Sequence, residues 1–202
     1  EIGAGSAELT GRCIAALAGQ GRRIRYCAAS LPDAGPGAEL PPNAGRVEFT
    51  AAPWNPLAPE PPPMIADLVI GIAAGVRLMA GTALPAALRG AAAAGGTLLL
   101  AEPLPGLLWD LCCGQDPAWW AGPWAAMPGC GAWTAGLEAE GWQAARVEPL
   151  HGTAWPAALI AAQMPTSAAL LAAPVLRRVI LVADDPQDPL CGALAEALSG
   201  RG

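Results

Sequence analysis

Two short segments of the chain, residues 68–72 and 97–101, are apolar at almost every position. Their length suits a β-strand, and the lack of alternating polar residues indicates that both faces of each strand are buried. Apolar residues also recur at helical spacing, for example at Leu9, Cys13 and Leu17. Buried strands that alternate with helices predict an α/β fold with a mostly parallel, doubly wound sheet.

The remaining elements are predicted from periodicity and from turn residues. Further strands are predicted at Arg23–Ala28, Arg46–Ala52, Trp142–Pro149, Trp155–Gln163 and Arg177–Ala183, and helices at Leu9–Gly19, Thr82–Ala94, Ala132–Glu140 and Leu190–Ser199. The strands Trp142–Pro149 and Trp155–Gln163 are predicted to be joined by the turn at His151–Gly152. Residues 104–133 are predicted to be irregular, and the six prolines of residues 53–63 exclude a helix there.

Charge and cysteine content exclude several kinds of partner. The chain has 11 basic and 17 acidic residues and no basic stripe, so we expect no nucleic-acid partner. No uninterrupted apolar run reaches the roughly 18 residues of a membrane span, so no membrane partner is expected. The six cysteines lack CxxC spacing and there is one histidine, which argues against a metal site. We expect buried free thiols in a reducing cytoplasm.

Five motifs resemble, in order and spacing, the carbon-methyltransferase domain of modular polyketide synthases. They are Glu1-Ile-Gly-Ala-Gly-Ser, Arg25-Tyr26, Asp67-Leu-Val-Ile, Gly95-Gly-Thr-Leu-Leu-Leu-Ala-Glu-Pro and Ala118-Trp-Trp. The first is similar to the glycine motif of S-adenosylmethionine-dependent methyltransferases, in which glycines let the backbone approach the cofactor beside a helix N-terminus. The resemblance implies a Rossmann-like class I methyltransferase fold with an antiparallel pair at one sheet edge.

The resemblance covers residues 1–164 and implies a division of the chain. Residues 165–176 are interpreted as a linker, and residues 177–202 resemble the first strand–helix unit of a ketoreductase structural subdomain, which often follows such domains. Because the chain opens inside the glycine motif, we expect it to belong to a longer polypeptide. The implied partners are the neighbouring dehydratase and ketoreductase domains and an acyl carrier protein.

The cofactor site that the resemblance implies has lost its chemistry in this sequence. Gly3 and Gly5 keep the first glycines of the motif, but Ala7 and Glu8 replace the glycines that follow in the family. Ala7 adds a methyl group where backbone must approach the ligand, and Glu8 places a carboxylate near the methionine carboxylate of the cofactor. Ser30 and Pro53 stand where the family has the acids near the ribose and the adenine. We therefore expect no bound cofactor.

The general base that the resemblance implies is also missing. Asp67 and Gly95 are 28 positions apart, as in the family, and this spacing puts the family's base histidine at Val76 and a preceding asparagine at Ala73. Valine cannot remove a proton from the carbon between two carbonyl groups. Glu102 keeps the place of the acid that supports this histidine in the family, but it has nothing left to orient.

Three functions follow as hypotheses. The favoured one is a non-catalytic, structural pseudo-methyltransferase module that braces its neighbours in a polyketide synthase. The first alternative is an active methyltransferase that moves a methyl group from S-adenosylmethionine to a β-ketoacyl chain on acyl carrier protein. The second is a catalytically dead docking module that uses the Trp-rich stretch, for which packing in the core or between domains is favoured over a lid. His151 is expected in a solvated turn, and Asp184, Asp185 and Asp188 in an acidic turn.

Overall fold

A computed structural model describes residues 2, 7–18, 23–31, 47–78, 83–115, 117–121, 127–153, 155–166 and 178–180. The helices of these residues are Ala7–Ala18 (α1), Ala74–Leu78 (α2), Leu84–Leu88 (α3), Leu107–Cys113 (α4), Pro117–Ala121 (α5) and Cys130–Ala139 (α6). The strands are Ile24–Ser30 (β1), Val47–Pro53 (β2), Ala66–Ile72 (β3), Ala92–Pro103 (β4), Gln143–Leu150 (β5), Ala157–Gln163 (β6) and Arg178–Ile180 (β7).

The strands form one sheet in the order β2-β1-β7-β3-β4-β6-β5. The first five of these run parallel to one another, whereas β6 is antiparallel to both β4 and β5. The predicted α/β class is confirmed, and the antiparallel pair lies at one edge as predicted. The exposed His151 lies in the bend between β5 and β6, and Gly152 supplies the positive φ of +80° that this bend requires.

Apolar cores cover both faces of the sheet, which explains the uninterrupted apolar runs. Along β4, Leu98 and Leu100 belong to one core, together with Trp133 and Leu137 of α6. Leu99, which lies between them, points into the opposite core because successive side chains of a strand alternate between faces. On that opposite face, α1 contributes Cys13 and Ile14 and packs near Tyr26 of β1.

Trp142, between α6 and β5, forms a hydrogen bond with α3. Its side chain is buried, and its Nε1–H donates a hydrogen bond to the Pro85 carbonyl oxygen at 3.0 Å. Trp133 of α6 is buried in the same core. For these two residues, the prediction of core packing is confirmed.

The segment 82–94, which is predicted as a single helix, divides between two kinds of structure. The helix α3 ends at Leu88, a 3₁₀ turn follows to Ala91, and β4 already begins at Ala92. Ala92 pairs with Ala66 of β3, and this pairing outweighs the helical preference of the alanine run. The later glycine, Gly95, has a φ of +74°, a conformation that L side chains disfavour.

Residues 104–133 contain regular structure that the sequence analysis did not predict. The helices α4, α5 and the first turn of α6 lie in this range. The longest described helix is α1, with 12 residues. None of the helices in the described ranges has the length and hydropathy needed to cross a bilayer.

The sequence-based division of the chain at residue 164 stays a prediction. Residues 178–180, which the sequence analysis assigns to a following subdomain, form β7 and pair with β1 and β3 inside this sheet. The predicted helix Leu190–Ser199 falls outside the described residues.

The two-sided burial of β4 predicts a clear contrast between two leucine substitutions. Leu100 is fully buried, whereas Leu107 on α4 is 75% exposed. Leu100→Ala should lower the free energy of unfolding by about 2–5 kcal/mol because it leaves a cavity in the core. Leu107→Ala, the matched control, should change it by no more than about 0.5 kcal/mol. Urea denaturation of both variants checks this expectation, and equal losses would contradict the burial of β4.

Candidate functional site

The carboxyl ends of the parallel strands form the candidate site. In open α/β sheets, ligands bind at this edge, where the segments after the strands converge. Ser30 ends β1, Pro53 ends β2, the turn into α2 follows β3, and Glu102 lies one residue before the end of β4. Four of the sequence-predicted positions, including Val76 on α2, are thus placed at one edge of the sheet.

Glu102 is the buried carboxyl group of this edge. Its side chain is 1% exposed, and its Oε1 accepts a hydrogen bond from the Gly75 N–H at 2.9 Å. The backbone N–H groups of Ala74 and Val76 also donate to this carboxyl group. Since the first N–H groups of a helix have no partner within the helix, Glu102 satisfies the N-terminus of α2. From the sequence, Glu102 has nothing left to orient once the histidine is missing; in the structure its partner is the α2 backbone.

The turn between β3 and α2 is shaped to bring this backbone close to Glu102. Ala73 has a φ of +50°, which is unusual for a residue with a side chain, and its N–H donates to the Ala101 carbonyl oxygen at 2.7 Å. A Cβ atom on Gly75 would lie 2.9 Å from Oε2 of Glu102 and 3.4 Å from the Trp133 ring. A side chain at position 75 would therefore force the Glu102 carboxyl group to shift.

Burial raises the pKa of Glu102 to about 8, from its ordinary value of 4.5. Loss of hydration disfavours the charged form, and the hydrogen bonds from Gly75, Val76 and Ala74 oppose this effect without cancelling it. A carboxyl group whose pKa lies near neutral pH can exchange protons with a substrate that reaches it. Here the group is closed off from solvent and faces the backbone of α2.

Val76, where the resemblance places the base, lies among apolar side chains. It packs against a cluster formed by Trp119 and Met127, with Trp109 and Cys113 at its border. Trp119 is buried and its Nε1–H donates to Oδ1 of Asp110 at 3.3 Å. The structure therefore brings Val76 and Glu102 together through the α2 backbone, in surroundings that hold no histidine among the described residues.

Ser30 and Pro53 lie side by side, because β1 and β2 pair in register to their last residues. The Trp54 N–H donates to the Ser30 carbonyl oxygen at 2.9 Å, and the Trp54 side chain turns into the core. Leu31, which follows β1, is also buried in that core. The described ends of β1 and β2 thus present a hydroxyl group and a proline ring and carry no carboxylate.

The glycine motif is only partly covered by the described residues. Gly3 and Gly5 lie outside them. Ala7 and Glu8 lie in the first turn of α1, where the structure describes the backbone alone. Ile2 forms parallel bridges to Ala29 and Gly71, which places the start of the motif between β1 and β3. The relation of Glu8 to Ser30 and Pro53 stays a prediction.

A second surface lies beside this edge, within the Trp-rich stretch for which docking was one of the hypotheses. Leu107 and Leu111 on α4 are 75% and 60% exposed, and Trp120 on α5 is 50% exposed. None of the residues of α4 is buried. Trp120 does not pack in the core, which leaves packing between domains as the prediction for this residue. Cys112 is exposed although buried thiols were expected. The Trp-rich composition of residues 104–133 was the sequence signal for this surface.

In the described part of the chain, no three His, Cys, Asp or Glu side chains come together as a metal site. The buried cysteines there are Cys13 and Cys27. Cys191 and the acidic turn of Asp184, Asp185 and Asp188 lie outside the described residues.

Comparison with known proteins identifies no family. No family model matches the chain, and no curated protein matches it. Among solved structures, the chain is similar to the crystal structure of a possible exported protein from Bordetella parapertussis, with a TM-score of 0.41 and 16% sequence identity. The similarity covers 71% of this chain and 62% of that chain, so less than two thirds of the other protein is spanned. This similarity is too low to assign a shared fold.

Substitution of Glu102 by glutamine should remove a pH dependence from the stability of the fold. Because the pKa rises from 4.5 to about 8 on folding, the native state keeps a proton that the unfolded state releases between these values. The contribution of Glu102 to stability is therefore complete below pH 4.5 and is lost as pH rises toward 8. The unfolding free energy should fall by up to about 1.4 kcal/mol per pH unit relative to Glu102→Gln. Urea denaturation across this range measures the difference.

Glu102→Ala is the matched variant for the hydrogen bonds themselves. It leaves the N–H groups of Ala74, Gly75 and Val76 without their acceptor, so it should be about 1–3 kcal/mol less stable than Glu102→Gln at every pH. A constant difference between the parent chain and Glu102→Gln over the whole range would contradict the raised pKa.

Proposed function

We propose that residues 1–164 are a degenerate methyltransferase-like domain of a modular polyketide synthase and act as a non-catalytic structural module. In this proposal, residues 165–176 are a linker and residues 177–202 begin a ketoreductase-like structural subdomain. The domain itself is not an enzyme, binds no cofactor, and braces the dehydratase and ketoreductase domains of the same polypeptide. The parent chain would be a bacterial, acyl-transferring megasynthase of secondary metabolism.

The sheet supports the methyltransferase-like part of this proposal. A run of parallel strands that ends in the antiparallel pair β6 and β5 is the arrangement that the resemblance implies. Helices cover both faces, with α1 on one side and α3 and α6 on the other. A Rossmann-like, class I methyltransferase fold is the finer interpretation that we draw from this arrangement.

The position of Val76 is the observation that carries the proposal. Methylation of the carbon between two carbonyl groups needs a base to remove its proton. Val76 has no titratable group and packs against Trp119 and Met127, while the buried Glu102 is engaged with the α2 backbone. The described residues at this end of β3 and β4 therefore offer structural contacts in place of a base.

The ends of β1 and β2 support the absence of a cofactor. The diol of a bound ribose needs acceptors, and a polar group that is buried without a partner costs about 1–3 kcal/mol. Ser30 and Pro53 supply no carboxylate there. Two such losses correspond to a weakening of roughly 30-fold to 10⁴-fold, before any repulsion from Glu8 is counted.

The first test measures binding and turnover of S-adenosylmethionine. We expect no saturable heat in a calorimetric titration up to roughly millimolar cofactor, and no gain of methyl mass on a β-ketoacyl carrier substrate. Val76→His should show the same result, because a restored base cannot act on a methyl donor that is not bound. An active carbon-methyltransferase domain serves as the positive control.

Micromolar binding together with a turnover-dependent gain of methyl mass would overturn the structural proposal. That result would establish the alternative, in which the chain is an active methyltransferase acting on an acyl chain held by carrier protein.

The second test measures the bracing role within the full polypeptide. Leu100→Ala, which opens the core, should lower the ketoreduction rate or the thermal stability of the neighbouring domain. Val76→Leu keeps an apolar side chain beside Trp119 and should leave both unchanged. If Leu100→Ala destabilises this domain without any effect on the neighbours, the bracing role is wrong.

The exposed leucines of α4 favour a second candidate function, that of a docking module. Leu107, Leu111 and Trp120 form an apolar surface without cover among the described residues, which is typical of interaction sites. Tryptophan fluorescence during titration with an acyl carrier protein, compared between the parent chain and a Leu107→Ser variant, separates docking from bracing alone.

A further inference from the structure

The strand β5 lies at one end of the sheet, and no strand of the described residues pairs with its outer edge. Backbone N–H and C=O groups at such an edge are open to pairing with another strand. The hydrogen bonds between β4 and β6 show which residues of β5 carry these groups. At the two ends of that ladder, the Leu104 N–H donates to the Pro156 carbonyl oxygen and the Met164 N–H donates to the Gly96 carbonyl oxygen, both at 2.8 Å.

These two bonds determine the orientation of the residues of β6. Neighbouring positions of an antiparallel ladder alternate between hydrogen-bonded and non-hydrogen-bonded pairs, and the pairing of β4 with β6 is continuous. The even-numbered residues of β6 therefore bond to β4, whereas Leu159 and Ala161 bond to β5. Their partners on β5 are Glu148 and Arg146. The backbone groups of these two residues are thus used within the sheet.

Val147, which lies between them, directs its N–H and its C=O away from the sheet. Pro149 has the same orientation, so its missing N–H leaves no gap in the ladder to β6, as is usual for a proline in an edge strand. The Val147 side chain is half-buried at the border of the core that α6 covers. Arg146 and Glu148 are exposed on the opposite face of the strand.

We propose that the outer edge of β5 is an interface with a second copy of this chain, in which the two β5 strands pair antiparallel about a two-fold axis at Val147. In this register, the Val147 N–H of each copy donates to the Val147 carbonyl oxygen of the other. Arg146 of each copy lies directly opposite Glu148 of the other. These are non-hydrogen-bonded positions, where facing side chains are closest.

The charges of β5 select both this register and this occupant. In the described part of the chain, Arg146 and Glu148 form no ion pair. An axis moved by one residue, to Arg146 or to Glu148, would place two like charges opposite each other, which destabilises a strand pair. Opposite charges at equal distances from the axis are the pattern that a two-fold interface requires. The edge is therefore complementary to itself, which favours a second copy over a strand of another protein.

The interface is short at both ends. Pro149 offers no N–H beyond one side of the axis, and on the other side the register shifts between Gln143 and Arg146, where Ala144 has a φ of +51°. A two-fold axis also uses each β5 edge once, so the assembly closes as a dimer. A ladder of this length predicts a weak, reversible dimer. We expect a Kd of roughly 10–1000 μM.

The first experiment measures this Kd by sedimentation equilibrium from about 5 μM to about 1 mM chain. Arg146→Glu places like charges opposite each other and should raise the Kd at least about tenfold. Arg146→Glu combined with Glu148→Arg exchanges the two charges and should return the Kd to within about threefold of the parent value. Arg25→Glu is the matched control, because it makes the same charge change on β1, away from this edge, and should leave the Kd unchanged.

The second experiment tests the backbone of the interface with two proline substitutions. Val147→Pro removes an N–H that faces outward, so it should abolish the dimer and lower Tm less than Glu148→Pro, which removes an N–H that bonds to β6. In the parent chain, hydrogen exchange at the Val147 N–H should slow as the chain concentration rises, while exchange at the Glu148 N–H should not depend on concentration.

Three results would overturn the proposal. The first is a chain that stays monomeric up to about 1 mM, which would leave the edge open or free for another protein. The second is a dimer whose Kd is unchanged by Arg146→Glu and Val147→Pro. The third is a dimer that Arg146→Glu weakens and the double charge exchange does not restore, because the charges would then act outside the two-fold register.

Discussion

Burial of the sheet on both faces is the constraint on which the remainder of this structure depends. Ile70 of β3 and Leu99 and Leu100 of β4 lie between two apolar cores, so a polar side chain placed along these strands would lose its hydration without compensation. Chemistry is thereby confined to the strand ends and to the segments that follow them. Glu102 lies at one of these strand ends, at the carboxyl edge of the sheet.

Glu102 shows how a carboxyl group can be held in such a place by hydrogen bonds from a helix backbone. The helix α2 begins directly after a sharp turn at Ala73 and has no capping side chain of its own in the first turn, so its N–H groups need an acceptor from elsewhere. Glu102 supplies it across 27 residues of sequence. Its retention at this position is therefore explained by packing and hydrogen bonding alone, which agrees with the proposed structural role.

The apolar surroundings of Val76 point in the same direction. A base must reach its substrate and change its charge, and both requirements call for polar neighbours or access to water. Val76 instead packs, half-buried, against the apolar cluster of Trp119 and Met127. The exposed apolar residues of this region, such as Leu107, lie on the outer side of α4, where they are suited to contacts with another surface.

The sequence by itself determined the buried strands near residues 68–72 and 97–101 and the His151 turn, because these depend on side-chain period and turn residues within a few positions. The antiparallel edge was an implication of the family resemblance. The sequence also determined that position 76 carries no base. Tertiary structure decided that Ala92 begins a strand, that Glu102 binds the α2 backbone, that Cys112 is exposed and that β7 enters the sheet between β1 and β3. Each of these outcomes depends on a contact between residues far apart in the chain, and no local pattern encodes such contacts.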